Sequence, residues 1–200
     1  MRKNMKTIDR IAFAVNISRG RKVLDIGGQK MPHESSGSSP FAKEYSKIER
    51  AASEYRIVDY QKVPTVDYVV DFNTIESITS INRIISEYKP NVILCMELLE
   101  HVNFHFELMN ELAAGIDNCG AEVFITVPNN GNWVFNAMGW NNDHNIAFFK
   151  DIAIRFVKRS KLGCHDIQTY ACMQKYIWFW WIAYALALFQ PFSWGFHIKK

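Results

Sequence analysis

Three aspartates at the ends of apolar runs are the residues whose type and spacing most clearly predict chemistry. Asp25 stands between Lys-Val-Leu and Ile-Gly-Gly, so a buried strand leads into Gly27 and Gly28, which allow a tight turn and a close approach of the backbone to a ligand. Asp59 and Asp71 end two later apolar runs. Because the parallel strands of an α/β sheet bring their carboxyl ends to one rim, we expect the three carboxylates to converge on one crevice. There they can accept hydrogen bonds from ribose hydroxyls or from an exocyclic amine.

Two histidines are candidates for proton transfer. His101 follows a fourth apolar run, in Leu-Glu-His-Val, and His144 lies in Asn-Asp-His-Asn ahead of two phenylalanines. An imidazole with a pKa near its reference value of ~6.5 can take a proton from a hydroxyl group as a general base. The alternative for each histidine is a structural hydrogen bond at the rim. We assign no metal ligands from the sequence.

The elements that must position these residues follow from alternating hydrophobic patterns. Short runs rich in Val, Ile and aromatic residues alternate with segments that carry apolar residues at helical spacing, as in 74–88 and 104–116. The predicted strands are 22–26, 55–59, 67–71, 91–96 and 121–127. This alternation predicts an α/β fold with a doubly wound, mostly parallel sheet.

The composition is that of one globular domain. The 200 residues are 48% hydrophobic with a net charge of +3, and the basic residues are scattered among acids, so nothing indicates a nucleic-acid partner. The four cysteines form no CxxC motif, which favours reduced thiols and a cytoplasmic location. The apolar run after the basic start of the chain is too short for a signal peptide, and we expect an N-terminal helix within 1–20 instead.

Three motifs resemble those of a known enzyme family. Leu-Asp-Ile-Gly-Gly at 24–28, Cys-Met-Glu-Leu-Leu-Glu-His-Val at 95–102 and Thr-Val-Pro-Asn at 126–129 are similar to successive motifs of class I S-adenosylmethionine-dependent methyltransferases. The similarity is to the small-molecule and glycan-modifying, type 11-like branch and spans about residues 20–150. It implies a Rossmann-like fold for a single domain 1–200, S-adenosyl-L-methionine as cofactor, and an antiparallel C-terminal edge strand near 194–198.

The resemblance also implies a cofactor pocket along the strand ends. The first motif would surround the methionine part, the acid of the second strand would hold the ribose, and the acid and the aromatic ring after the third strand would face the adenine. The pocket residues implied in this way are Asp25, Gly27, Gly28, Gln29, Asp59, Tyr60, Asp71, Phe72 and Glu97. Gln29 replaces a glycine that is usual in the family, which leaves open a non-catalytic binding module that keeps the fold as a scaffold.

The loop after the fifth strand, 128–145, is rich in asparagine and aromatic residues. Side-chain amides can hydrogen-bond hydroxyl groups, and indole rings can stack on sugar faces. The pattern predicts methyl transfer to a small hydroxylated acceptor, such as a sugar or a lipid-linked intermediate. An ordinary polar lid with tryptophans in the core is the alternative.

An apolar stretch near the C-terminus has three interpretations. Residues 176–189 are fourteen consecutive apolar residues followed by Gln-Pro, fewer than the ~20 needed to span a bilayer. We predict an apolar helix over 172–192. In the first interpretation, the core or a second subunit of a homodimer covers this helix. In the second, residues 176–196 lie on the inner membrane surface. In the third, the helix forms a wall of the acceptor pocket.

Overall fold

The computed structural model describes residues 5–28, 40–132, 144–173 and 191–200. Eight strands in these ranges form one sheet: β1 (Lys6–Asp9), β2 (Lys22–Ile26), β3 (Glu54–Asp59), β4 (Tyr68–Val69), β5 (Val92–Met96), β6 (Glu122–Pro128), β7 (Asp166–Met173) and β8 (Ser193–Lys199). The helices in the same ranges are α1 (Arg10–Ser18), α2 (Pro40–Ala51), α3 (Ile75–Tyr88), α4 (His105–Cys119) and α5 (Lys150–Arg159). Two short 3₁₀ turns lie at Leu99–His101 and Lys161–Cys164.

The sheet has the order β1-β7-β8-β6-β5-β2-β3-β4. Among the described strands, β8 is antiparallel to both of its neighbours and the other pairings are parallel. The predicted doubly wound, mostly parallel sheet with an antiparallel C-terminal strand is therefore confirmed. That strand lies inside the sheet rather than at its edge, because β7 pairs with its outer side and β1 pairs with β7.

At the start of each predicted terminal helix, the structure has strand residues. Residues 6–9 are strand β1, whose backbone groups pair with β7, and the helix begins only after Asp9, whose carboxylate caps it by accepting from the Ala12 N–H at 2.8 Å. At the other end, Cys172 and Met173 are the last residues of β7 and not the first turn of a helix. They pair with residues of β1, and Cys172 also pairs with β8, so the ladder satisfies their backbone groups. The rest of the predicted helix, 174–190, lies outside the described residues.

The core lies on both faces of the sheet because successive strand residues point to opposite sides. Val23, Val92 and Leu94 pack in a cluster with buried residues of α1 and α2. Leu24 and Ile93 pack on the other face with buried residues of α3 and α4. Because β2, β3, β5 and β6 are neighbouring parallel strands, their carboxyl ends lie along one rim. In the part of the chain that the structure describes, no helix has the length and apolarity to cross a membrane.

Candidate functional site

Asp25 is a buried carboxylate at the end of β2, with only 2% of its surface exposed. The Tyr55 hydroxyl donates a hydrogen bond to its Oδ2. Burial raises the pKa of Asp25 to about 6; the Tyr55 hydrogen bond acts to lower this pKa and the nearby Asp59 charge acts to raise it. A Cβ at position 28 would collide with the Asp25 carboxylate, so Gly28 is required for space. The carboxyl group and the turn that follows it are thus packed as one unit.

Gly27 forms the turn itself. Its φ of +79° is in the left-handed region that favours glycine, and its N–H donates to the Val58 carbonyl at 2.8 Å. A Cβ there would lie 3.0 Å from the Leu98 side chain, beyond the end of β5. The turn after β2 is therefore fixed to the ends of both neighbouring strands. Gln29, the next predicted pocket residue after Gly28, lies outside the described residues.

Asp59 ends β3 and is 4% exposed. Its Oδ1 accepts from the Gln61 N–H at 3.0 Å, so the turn after the strand holds the carboxylate in place. Tyr60, the next residue, exposes 63% of its surface. The structure therefore places a fixed acid and an exposed ring side by side at the rim, next to Asp25.

The third predicted acid lies in a different environment. Asp71 is exposed, and its Oδ1 accepts from the Asn73 N–H at 2.9 Å. It follows the short strand β4, and the Val70 N–H donates to the Asp59 carbonyl at 2.9 Å, which keeps Asp71 close to the end of β3. Phe72 is buried and belongs to the core cluster on the α3 side of the sheet. Its proposed contact with an adenine stays a prediction.

Glu97 follows β5 with a φ of 54°, which is unusual for a residue with a side chain. Its Oε1 is 2.7 Å from an Arg10 nitrogen and accepts from the Thr126 hydroxyl at 2.7 Å. Its N–H donates to the Thr126 carbonyl at 2.9 Å. Tertiary contacts from α1 and β6 thus hold this left-handed residue in place.

Arg10 was not identified as a site residue from the sequence. It is 6% exposed at the first turn of α1. Burial acts to lower the pKa of Arg10, but the neighbouring Tyr45 and Glu97 raise it above its usual value, so the guanidinium stays charged. The sequence signal for Arg10 is a cation beside apolar residues in a helix that packs on the core. Such cations are too common in sequences to identify a site residue.

Glu100, His101 and His144 form a compact group of potential metal ligands. One ligand atom from each residue lies within 4.8 Å of those of the other two, and the two imidazole centroids are 5.1 Å apart. Burial and the Glu97 charge raise the pKa of Glu100 well above its usual value. Glu100 Oε2 is buried and has no hydrogen-bond partner among the described residues. A buried oxygen of this kind beside two imidazoles suits a divalent cation such as Zn²⁺ or Mn²⁺.

Hydrogen bonds from the residues that follow His144 hold its segment against this group. The Asn145 N–H donates to the Glu100 carbonyl at 2.7 Å, and the Asn145 side-chain amide donates to the His101 carbonyl at 2.8 Å. Further along, Phe148 and Asn130 are joined by two hydrogen bonds of 2.8 and 3.1 Å. These contacts bring two histidines that are far apart in sequence to one site.

The asparagines that begin loop 128–145 are buried and hydrogen-bond backbone groups of the protein. The Asn129 amide donates to the Pro191 carbonyl at 2.9 Å, and its oxygen accepts from the Gly131 N–H at 3.0 Å. Asn130 and Asn132 are buried as well. Residues 133–143, which include the tryptophans of this loop, lie outside the described residues.

Comparisons with known proteins show the fold. No protein-family model and no curated protein matches this chain. The fold is similar to that of an S-adenosylmethionine-dependent methyltransferase from Archaeoglobus fulgidus, with a TM-score of 0.62, 15% identity, and coverage of 96% of this chain and 91% of that one. The methyltransferase domain of bacterial CtHen1 is similar with a TM-score of 0.59 and 11% identity over 95% of both chains.

The small RNA methyltransferase HEN1 is similar with a TM-score of 0.59 and 10% identity, over 96% of this chain and 25% of that one. At these identities the similarity establishes the architecture: this chain has the class I methyltransferase fold.

Proposed function

We propose that this chain is an S-adenosyl-L-methionine-dependent methyltransferase that methylates a hydroxyl group of a small hydroxylated acceptor, such as a sugar or a lipid-linked intermediate. The observation that carries the proposal is the pair of buried carboxylates Asp25 and Asp59, which end adjacent strands of a class I methyltransferase fold beside a glycine turn. A crevice at the carboxyl ends of such strands is where α/β sheets bind nucleotide-like ligands.

The residues present fit this cofactor. Gly27 and Gly28 form a turn without room for side chains, where the backbone could approach the methionine part. The Asp25 carboxyl lies beside this turn and would face the ammonium group of the cofactor. Asp59 would hold the ribose hydroxyls with Tyr60 beside them, and Asp71 would accept from the adenine amine. The cofactor supplies a methyl group on a positively charged sulfonium, which transfers by in-line displacement, so the protein mainly has to align donor and acceptor.

The acceptor would meet the cofactor beside Glu97, at Glu100, His101 and His144. In one form of the proposal, the acceptor oxygen bonds to the methyl carbon as the carbon–sulfur bond breaks, and His144 takes the hydroxyl proton. In the other, a divalent cation held by Glu100, His101 and His144 would act as a Lewis acid on the acceptor hydroxyl. The unsatisfied Glu100 oxygen supports the second form.

Methyl transfer from radiolabelled cofactor tests both the reaction and the role of a cation. We expect transfer to a hydroxylated acceptor that falls after EDTA treatment and returns with Mn²⁺ or Zn²⁺. Transfer that is insensitive to EDTA would leave His144 as the base. If no sugar, lipid-linked sugar or RNA is methylated although the cofactor binds, the non-catalytic binding module becomes the better account.

The ribose hydroxyl of RNA is the second candidate acceptor. It has the same reacting group as a sugar, and the fold is similar to that of CtHen1 and of the small RNA methyltransferase HEN1. The scattered charges of the sequence predict no nucleic-acid partner, so an RNA oligonucleotide belongs in the same assay as the sugars. Methylation of RNA but of no sugar would overturn the small-molecule proposal.

Association through 176–196 and a cytoplasmic location at the inner membrane surface also remain proposals, since most of this segment lies outside the described residues. A homodimer contact predicts a dimer in the absence of detergent, which Trp180→Glu together with Trp181→Glu would convert to monomer or aggregate. A monomer that ignores lipid vesicles would exclude both roles for the segment.

A further inference from the structure

An exposed apolar surface surrounds the start of α5. Phe149, Ile152 and Phe106 expose 48%, 41% and 37% of their surfaces. Phe149, Ile152 and the half-buried Phe156 follow helical spacing, and Ala153 and Val157 on the neighbouring face of α5 are buried in the core. The Phe106 and Phe156 rings are 4.4 Å apart, so the surface continues from α5 onto the start of α4. We call these four residues the α5 apolar surface.

Exposed cations lie on the same helix as the α5 apolar surface. Lys150, Arg155, Lys158 and Arg159 are exposed on α5, and Lys161 is exposed just beyond it. Asp151 is the one acid within 150–161. Among the described residues, the side chains of Lys150, Lys158, Arg159 and Lys161 are in no ion pair. The surface therefore combines exposed rings with cations that form no ion pair among the described residues.

The α5 apolar surface adjoins the candidate active site. Phe149 follows the segment that carries His144 and Asn145, and Phe106 follows the turn that carries His101. The Phe149 ring lies against Gly131, at the end of β6, where a Cβ would be 3.7 Å from it. Whatever binds this surface is therefore held beside the group that would receive the acceptor.

We propose that the α5 apolar surface docks on an anionic lipid bilayer. Its rings and Ile152 would enter the headgroup boundary while the lysines and arginines contact lipid phosphates, as in amphipathic helices that lie in a membrane interface. Ile152 favours lipid over nucleic acid, because an aliphatic side chain offers no ring on which a base could stack. Docking there would bring the head group of a membrane-embedded acceptor to the rim of the site. The proposal does not depend on methyl transfer, because lipid binding can be measured without cofactor.

Vesicle flotation of the full chain tests this proposal. Vesicles of phosphatidylcholine with 30% phosphatidylglycerol should bind the protein, and pure phosphatidylcholine should bind it less, with release at high salt. Phe149→Ser with Ile152→Ser should lower the partition coefficient about tenfold, and Lys158→Glu with Arg159→Glu should lower it by a similar factor. The matched controls are Val69→Ser with Ile75→Ser and Lys62→Glu with Arg83→Glu, which change exposed residues elsewhere and should bind like the wild type.

Three outcomes would overturn the proposal. The first is wild-type protein that ignores anionic vesicles. The second is a pair of α5 variants that bind as well as their controls, which would assign any lipid affinity to another part of the chain. The third is α5-dependent binding of single-stranded RNA without binding to vesicles. Melting curves confirm that each variant is folded; if the serine variant is not, the exposed charge-reversal variant decides.

Discussion

The two halves of the candidate site hold their carboxylates in different ways. At the ends of β2 and β3, the Asp25 carboxylate accepts a hydrogen bond from the Tyr55 hydroxyl of the neighbouring strand. The Asp59 carboxylate accepts one from the backbone N–H of Gln61, two residues away. At the ends of β5 and β6, Glu97 depends on Arg10 from the N-terminal helix. Glu100 lies beside a histidine from the segment after residue 143 and keeps one oxygen without a hydrogen bond among the described residues.

This difference suits a rim that binds two ligands. The first half is assembled as soon as two neighbouring strands pair, and its acids suit a cofactor with hydroxyl and ammonium groups. The second half needs three distant parts of the chain and gathers acidic and imidazole groups that suit a cation or a reacting hydroxyl. We infer that the first half contributes mainly to cofactor affinity and the second to turnover.

The largest expected effect separates these two contributions. His144→Ala should lower turnover about 10²-fold or more, because it removes either the general base or a metal ligand. The dissociation constant for S-adenosylhomocysteine should stay near its wild-type value. His165→Ala, which changes a histidine paired with Asp117 away from the site, is the matched control and should leave both quantities unchanged. Turnover within about threefold of the wild type would return His144 to a structural role.

A smaller effect tests whether Arg10 holds the second half together. Arg10→Met should lower the free energy of unfolding by about 2–3 kcal/mol, because Glu97 would remain largely buried without its cation in a left-handed backbone conformation. Arg83→Met breaks an exposed ion pair with Glu87 and should cost less than about 1 kcal/mol. Chemical denaturation measures both. Equal losses would show that the buried pair at the site is no stronger than a surface pair.

The smallest effect concerns the pH dependence of the first half. Burial raises the pKa of Asp25 to about 6, so the ionised fraction rises about tenfold between pH 5 and pH 7. An ionised carboxylate favours the cofactor's ammonium group, so affinity for S-adenosylhomocysteine should increase about tenfold over this range. Asp25→Asn should flatten the profile. An unchanged profile in this variant would assign the dependence to another group.

Asp25 also affects folding stability, with the opposite sign. Its pKa is raised on folding from its ordinary value of 3.8, so the stability that it contributes is full below that value and is lost as the pH rises through about 6. The Asp25→Asn variant should therefore gain stability relative to the wild type above pH 6. Thermal unfolding at pH 4 and pH 7 measures this difference without any cofactor.

The first half was predictable from sequence because its signals are local. Apolar runs that end in Asp25 and Asp59, with glycines after the first, predict both strands and place the two carboxylates at their ends. The helices α3 and α4 followed from the spacing of their apolar residues. The strand near 67–71 is only Tyr68–Val69, although hydrogen bonds from Asp67 and Val70 to β3 continue the pairing on both sides.

The second half could not be predicted because it depends on long-range contacts. Both histidines were identified singly, but no pattern indicates that Asn145 fastens His144 beside Glu100 and His101. The sequence predicts a helix where β1 lies, because the pairing that makes these four residues a strand comes from the distant β7 and leaves no local signal. Strand β7 itself was missed for the related reason that its pairing partners are remote in sequence.

Calorimetric titration with S-adenosylhomocysteine tests the central claim most directly. The account predicts binding of one molecule per chain, a stabilisation of about 2.7 kcal/mol at a hundredfold excess over the dissociation constant, and loss of most of that affinity in a folded Asp59→Ala variant. A wild-type chain that does not bind S-adenosylhomocysteine, or an Asp59→Ala variant that binds it as tightly as the wild type, would contradict the account.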